Sequence, residues 1–160
     1  MTGMIAHHSQ AVLIAGWAPT HGASPAILRL CERVVVGQRD EIARMQQWLR
    51  DQGEPVPSGD ATHDLHGMHD GALMPGMLTA AELNELNGAS GAEFDQLFLT
   101  LMIRHHEGAL TMVQQLIDSP GAAQDNLVFK IASDIHADQT TEIARMKGML
   151  AMLSLDPVGS

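Results

Sequence analysis

Apolar residues recur at helical spacing along most of the chain, and Gly and Pro cut the pattern into segments. The first segment runs from Met4 to about Trp17 and is broken by Pro19 and His21-Gly22. Ser24-Pro25 is a start signal, with Ser as N-cap and Pro at the first helical position. The second helix then reaches Asp51, with Ile27, Leu30, Cys31, Val34, Gln38, Glu41, Ile42, Met45 and Leu49 on one broad face. Gly53, Pro55, Pro57 and Gly59 end it, and no period survives through residues 53–78. Thr79 with Glu82 predicts a capping box for a short helix to about Leu86, and Ser90 with Glu93 predicts a second one opening a long helix. The stripe of that helix is Phe94, Leu97, Phe98, Leu101, Met102, His105, Ala109, Met112 and Leu116, and Ser119-Pro120-Gly121 stops it. The last helix, roughly Ala122 to Leu153, turns Val128, Ile131, Ile135, Gln139, Glu142, Ile143, Met146 and Leu150 inward.

Four long helices in two pairs, with short connections inside each pair, predict an all-α four-helix bundle. A short extra helix belongs to the crossover connection. The chain is expected to be one domain over 1–160, with a half at 1–52, a linker at 53–78 and a half at 79–155.

The two halves share words. Met4-Ile5-Ala6-His7-His8 returns as Met102-Ile103-Arg104-His105-His106, and Gln38-x-x-Glu41-Ile42-x-x-Met45 as Gln139-x-x-Glu142-Ile143-x-x-Met146. The bundle should therefore have an internal pseudo-twofold. At 100° per residue, each Gln-Glu-Met set falls within about 60° of arc, and each Met lies angularly between the two His that follow it. Every half thus aims two imidazoles, two thioethers, an amide and a carboxylate at the interior. Such residues have an ordinary explanation, in which buried His and Glu satisfy each other and Met fills space. Two buried carboxylates need partners in any case, because an unpaired one costs several kcal/mol. Imidazolium or a metal ion could supply them.

Composition sharpens this choice. Nine His and eleven Met are an over-supply of borderline and soft donors, whereas aromatics make only 3% of the chain. The linker holds a second cluster, His63, His66, Met68, His69, Met74 and Met77, whose three His would share a face if the run turned helical. A net charge of −10 with no basic stripe argues against a nucleic-acid partner. No apolar run approaches the roughly 18 residues of a membrane span. The chain opens almost directly on the first motif, so a trimmed leader is expected and its absence carries no weight. The single Cys31 forbids an intrachain disulfide and reads as buried filler. His21 is expected to be exposed in its turn, and His136 is a supplementary ligand candidate at best.

No phosphate-binding loop, nucleophile elbow or His-Glu-x-x-His helix occurs. No Glu is followed three residues later by His, which argues against a carboxylate-bridged di-iron bundle.

Together, Met-Ile-x-His-His and Gln-x-x-Glu-Ile-x-x-Met resemble the motifs of the domain of unknown function 305 family, over nearly the whole chain and most strongly over Ala92 to Leu150. The resemblance implies a ferritin-like bundle, an extracytoplasmic setting (secreted, periplasmic or envelope-attached) and, from some members, copper binding linked to copper resistance. It carries His7, His8, His105 and His106 over as imidazole ligands, with Met4, Met45, Met102, Met112 and Met146 as thioether candidates. The first repeat departs from the pattern, with Ser9 where the second has Glu107 and Ile14 where it has Met112. His105-His106 with Met102 and Met112 is therefore the better-supported half.

The leading expectation is a non-enzymatic copper-binding or copper-sequestering protein, with Glu41 and Glu142 inside the metal set and iron or zinc as alternative ions. A ferritin-like oxidoreductase using Glu41, Glu142, His8 and His106, and a metal-free helical interaction module, are the competing readings. Self-association into a homo-oligomer is left open. With ordinary histidine pKa values, metal retention should weaken below about pH 6, because imidazole must be neutral to ligate.

Overall fold

A computed structural model describes residues 1–60 and 73–155, less the side chain of Ala123. Its helices are α1 (Thr2–Ala15), α2 (Pro25–Asp51), α3 (Ala80–Gly88), α4 (Gly91–Asp118) and α5 (Asn126–Leu155), with 3₁₀ turns at Ala18–Thr20 and Ala122–Gln124. All regular structure among the described residues is helical. The linker residues His63, His66, Met68 and His69 lie outside them. No described helix is long and apolar enough to cross a membrane.

Local signals explain most boundaries. Ser24 Oγ accepts the Ile27 N–H at 3.4 Å with Pro25 at the first helical position. Thr79 and Glu82 form the reciprocal capping box, and Arg104 then grips both carboxylate oxygens of Glu82 from α4. The second predicted box does not form. Ser90 is the N-cap by position but its side chain makes no cap bond, and the adjoining Gly91 N–H donates to the His21 carbonyl at 2.8 Å instead. The last helix begins at Asn126, four positions later than the pattern suggests, because Ala122–Gln124 closes as a 3₁₀ turn.

Helices α1 and α2 pack as one pair and α4 and α5 as the other, joined by α1 against α4 and α2 against α5. Every residue of the α2 face read from the pattern is buried. The apolar interior is split into two clusters. The larger gathers Ile14, Leu30, Val34, Phe94, Phe98, Leu99, Met102 and Met146. The smaller gathers Ile5, Ile42, Met45, Leu49, Val113, Ile131 and Ile135. The start of α1 thus shares a cluster with the end of α4, so those two helices cross antiparallel; α2 and α5 do the same. Between the clusters lies a layer of buried polar residues: His7, His8, Gln38, Glu41, His105, His106 and Gln139.

The end of the crossover connection is strapped over this layer. Leu78 exchanges two hydrogen bonds with the Gln10 side chain, its N–H donating to Oε1 at 2.8 Å and its carbonyl accepting from Nε2 at 3.1 Å. Pro75-Gly76 crosses α4 backbone-on-backbone at Gly108. A Cβ on Gly108 would overlap the Pro75 carbonyl, and one on Gly76 (φ +76°) would lie 2.5 Å from the Arg104 carbonyl.

Gly108→Ala should therefore lower stability by about 1–3 kcal/mol through overpacking. Gly37→Ala, whose Cβ meets nothing within 4 Å on the exposed side of α2, should raise it by about 0.5–1 kcal/mol. Urea denaturation of the two variants checks the pair, and equal effects would rule out the close crossing.

Candidate metal centre

The four repeated histidines form one continuous row across the polar layer. His7 and His105 meet where α1 crosses α4, with ring centroids 3.9 Å apart and planes tilted by 37°. His8 stands 6.4 Å from His7 on one side and His106 stands 6.2 Å from His105 on the other. The sequence suggested one site per half. The antiparallel crossing instead brings the two halves together at a shared centre.

Each outer imidazole is held by the carboxylate of its own half. His8 Nε2–H donates to Glu41 Oε2 at 2.8 Å and His106 Nε2–H to Glu142 Oε2 at 2.6 Å. The inner two differ. His7 Nε2–H donates to the Pro75 carbonyl at 2.9 Å, whereas His105 has neither ring nitrogen partnered. Since Nε2 carries the hydrogen in the three held rings, Nδ1 is left as the lone-pair nitrogen wherever the ring is neutral. The Nδ1 atoms of His7, His8, His105 and His106, and His105 Nε2, are all buried without a hydrogen-bond partner. Buried polar atoms in folded proteins are nearly always satisfied, so this concentration in one layer points to a ligand.

Burial keeps the inner pair neutral. It lowers the His7 pKa to about 4, against the Pro75 hydrogen bond, with His8 and His106 adding repulsion. His105 is driven well below its ordinary value by burial first, then by His7, His106 and His8. Neutral imidazole, the form that can ligate a metal, therefore persists to lower pH at these two rings than at an unperturbed histidine.

The donor types fit a borderline or soft transition metal: imidazole nitrogens in the layer and thioethers at its edges. Among the described residues, though, no group of three or more His, Cys, Asp or Glu side chains is placed to hold an ion. His105 itself is fully buried with its ring packed against that of His7.

The thioethers sort unevenly. Met102 and Met146 are fully buried in the larger cluster. Met4, Met45 and Met112 line a cleft of about 250 Å³ at the start of α1. Met74 joins them there, its Sδ 3.3 Å from where a Cβ on Gly3 would stand, while Met77 is buried beside Leu78. Met112 thus belongs with the first half's Met4 and Met45, not with Met102, because the end of α4 passes the start of α1. The two departures of the first repeat also change meaning. Glu107 points outward to Lys147 at 2.8 Å, so Ser9, buried and bonded to the Ile5 carbonyl, replaces no buried carboxylate.

Other expectations resolve simply. Cys31 is buried and its thiol is pushed up to about 12, mainly by burial. His136 is exposed on α5. His21 is only half exposed and anchored, with Nδ1 2.8 Å from the Trp17 carbonyl and Nε2 3.1 Å from that of Asn87. The pattern missed Gln10, Pro75 and Asp95, whose carboxylate accepts the Ser24 N–H at 3.2 Å. Gly108 inside the helix, just after His105-His106, was the one available sign of a close backbone crossing.

The profile of the family described as domain of unknown function (DUF305) matches residues 1–150. No curated protein matches the chain. Among solved structures, a candidate secreted DUF305 protein from Streptomyces coelicolor is 26% identical with a TM-score of 0.79, covering 96% of this chain and 90% of its own. A DUF305 fragment from Deinococcus radiodurans is 27% identical with a TM-score of 0.76, over 93% and 91%. CopM in its Cu(II)-bound form is 28% identical with a TM-score of 0.71, over 94% and 92%. CopM in its Cu(I)-bound form is 26% identical with a TM-score of 0.68, over 91% and 89%.

The His7 shift sets a pH dependence. Its pKa is 6.5 when unperturbed and about 4 in the fold, so between these values the unfolded chain binds more protons. This contribution to stability is full above pH 6.5 and is lost as pH falls towards 4. Urea denaturation of metal-free protein at pH 7.5, 5.5 and 4.5 should give a falling unfolding free energy, with a shallower slope in His7→Gln. A slope unchanged by that substitution would contradict a neutral His7.

Proposed function

The chain belongs to the domain of unknown function 305 family, and from that premise we propose that it is a non-enzymatic, extracytoplasmic protein that binds and sequesters copper. The observation that carries this reading is the row of four buried imidazoles with five unpartnered nitrogens. The copper-bound forms of CopM, at 28% and 26% identity, support the choice of metal. The secreted character assigned to the Streptomyces relative supports the compartment.

In this proposal His7 and His105 present the central nitrogen donors. Glu41 and Glu142 orient His8 and His106 through Nε2 and leave Nδ1 free, the usual work of a carboxylate behind a metal-binding histidine. The carboxylates then serve as orienting partners and need not be ligands themselves. The cleft lined by Met4, Met45 and Met112 offers thioethers, which favour Cu(I), beside imidazoles that also accept Cu(II). Burial between the two apolar clusters keeps water and competing ligands away from the ion. Copper bound there would supply no reaction; the residues only hold it.

Dialysis against copper followed by elemental analysis should leave metal on the wild type and little on His105→Ala/His106→Ala. Copper at background on the wild type, or unchanged on the double variant, sinks the proposal. Glu41→Gln should weaken binding about 10–100-fold, as expected for a lost orienting partner. At free copper one hundred times Kd, binding should add about 2.7 kcal/mol of stability, visible as a raised melting temperature.

A further inference from the structure

Glycine in the middle of a long helix costs stability relative to alanine, so Gly108, well inside α4, calls for a reason. It stands three residues after His105. Three residues after His7, at the same place in the first repeat, stands Gln10, which is only 1% exposed. Residues at this spacing share a side of a helix, so each lies on the side that carries an inner imidazole. The strap from Pro75 to Leu78 meets both of them.

The two residues act on the strap in opposite ways. Gln10 grips it: Oε1 accepts the Leu78 N–H and Nε2 donates to the Leu78 carbonyl, so both ends of a buried amide are spent on one residue. Gly108 makes room for it, because the atom that a Cβ at this position would overlap is the Pro75 carbonyl oxygen. That same oxygen accepts the His7 Nε2–H at 2.9 Å. Gly76, in left-handed backbone, turns the strap between the two holds. The carbonyl that orients His7 is thus located by a hydrogen-bonding clasp on α1 and by a missing side chain on α4. A side chain at 108 would close the slot, and a glycine at 10 would leave the buried Leu78 N–H and carbonyl unpaired. The repeat is broken at this pair of positions in the way that seats one strap.

We propose that Gln10 and Gly108 are positioning residues for the metal centre: through the Pro75 carbonyl they hold His7 by Nε2–H and so commit it to binding copper through Nδ1. The bearing on copper rests on the function proposed above; the hold on His7 does not. His8 and His106 obtain the same commitment from Glu41 and Glu142, so a backbone oxygen does for one inner imidazole what the carboxylates do for the outer two.

Proton NMR of metal-free protein carrying ¹⁵N-histidine, at pH 7.5, reads the hold directly. A buried, hydrogen-bonded imidazole N–H exchanges slowly enough with water to give its own downfield signal. Wild type should show such signals from His7, His8 and His106, that of His7 being identified by its loss in His7→Gln. Gln10→Met, which keeps the length of the side chain and removes both bonds to Leu78, should abolish or shift the His7 signal alone. Gly108→Ala should do the same from the other side, so the result does not hang on one variant folding well. The His8 and His106 signals report in the same spectrum that the layer is intact. Ser9→Ala removes a neighbouring buried hydrogen bond to the Ile5 carbonyl, leaves the strap untouched and should keep every signal. In a copper titration both strap variants should bind about tenfold more weakly or worse, as for a lost orienting partner, and Ser9→Ala should bind as wild type does. A His7 signal absent from wild type, unchanged in both strap variants, lost in Ser9→Ala, or lost only together with those of His8 and His106 would overturn the positioning. Copper affinity unchanged in strap variants that have lost the His7 signal would overturn its bearing on the metal. Copper at background on wild type, with the NMR as expected, would sink the copper reading instead and support the strap's hold on His7.

Discussion

Two hydrogen bonds, the buried one from His8 to Glu41 and the half-buried one from His106 to Glu142, govern how the rest of this protein can be built. A carboxylate taken out of water demands a partner, and here each finds one on the neighbouring helix of its own pair. Meeting that demand forces a polar layer through the middle of the bundle and splits the apolar interior into two clusters. Neither cluster can slide along the bundle without breaking the layer, so the polar residues set the register of all four long helices. This is a specificity device as well as a candidate site.

The layer also explains why the inner histidines are left over. Each carboxylate serves one imidazole, and the second imidazole of each motif is turned one residue round the helix, towards the other half. His7 and His105 meet there because α1 and α4 run antiparallel. Their burial suppresses protonation, which leaves lone pairs where a cation would otherwise be repelled by imidazolium. The pH dependence of stability and the supply of neutral imidazole are thus set by the same desolvation.

Much of this was legible in the sequence. The complete buried face of α2, the Ser24 cap and the Thr79–Glu82 box follow from periodicity and cap chemistry, which are local. The donor residues were legible too, because they repeat. Their grouping was not. Which half's Met stands near which half's His depends on how α1 crosses α4, and that is a tertiary fact no spacing encodes. Met112 shows it, read with His105-His106 but placed beside Met4 and Met45. The strap from Pro75 to Leu78 was equally hidden, since it rests on a carbonyl, a glycine and the amide of Gln10, none of which carries hydrophobic period. Ser90 misled because its cap signal was overridden by a backbone bond from Gly91 to His21.

The single crossover has a further effect on an otherwise twofold object. Two identical half-length chains could form the same antiparallel arrangement, and in such a dimer the two inner imidazoles would be indistinguishable. Joining the halves covalently requires one connection, which can cover only one of them. His7 receives the Pro75 carbonyl and His105 receives nothing. The linker therefore breaks the equality of the two inner donors: one is oriented by a linker carbonyl and the other is not, which gives a symmetric scaffold a preferred direction.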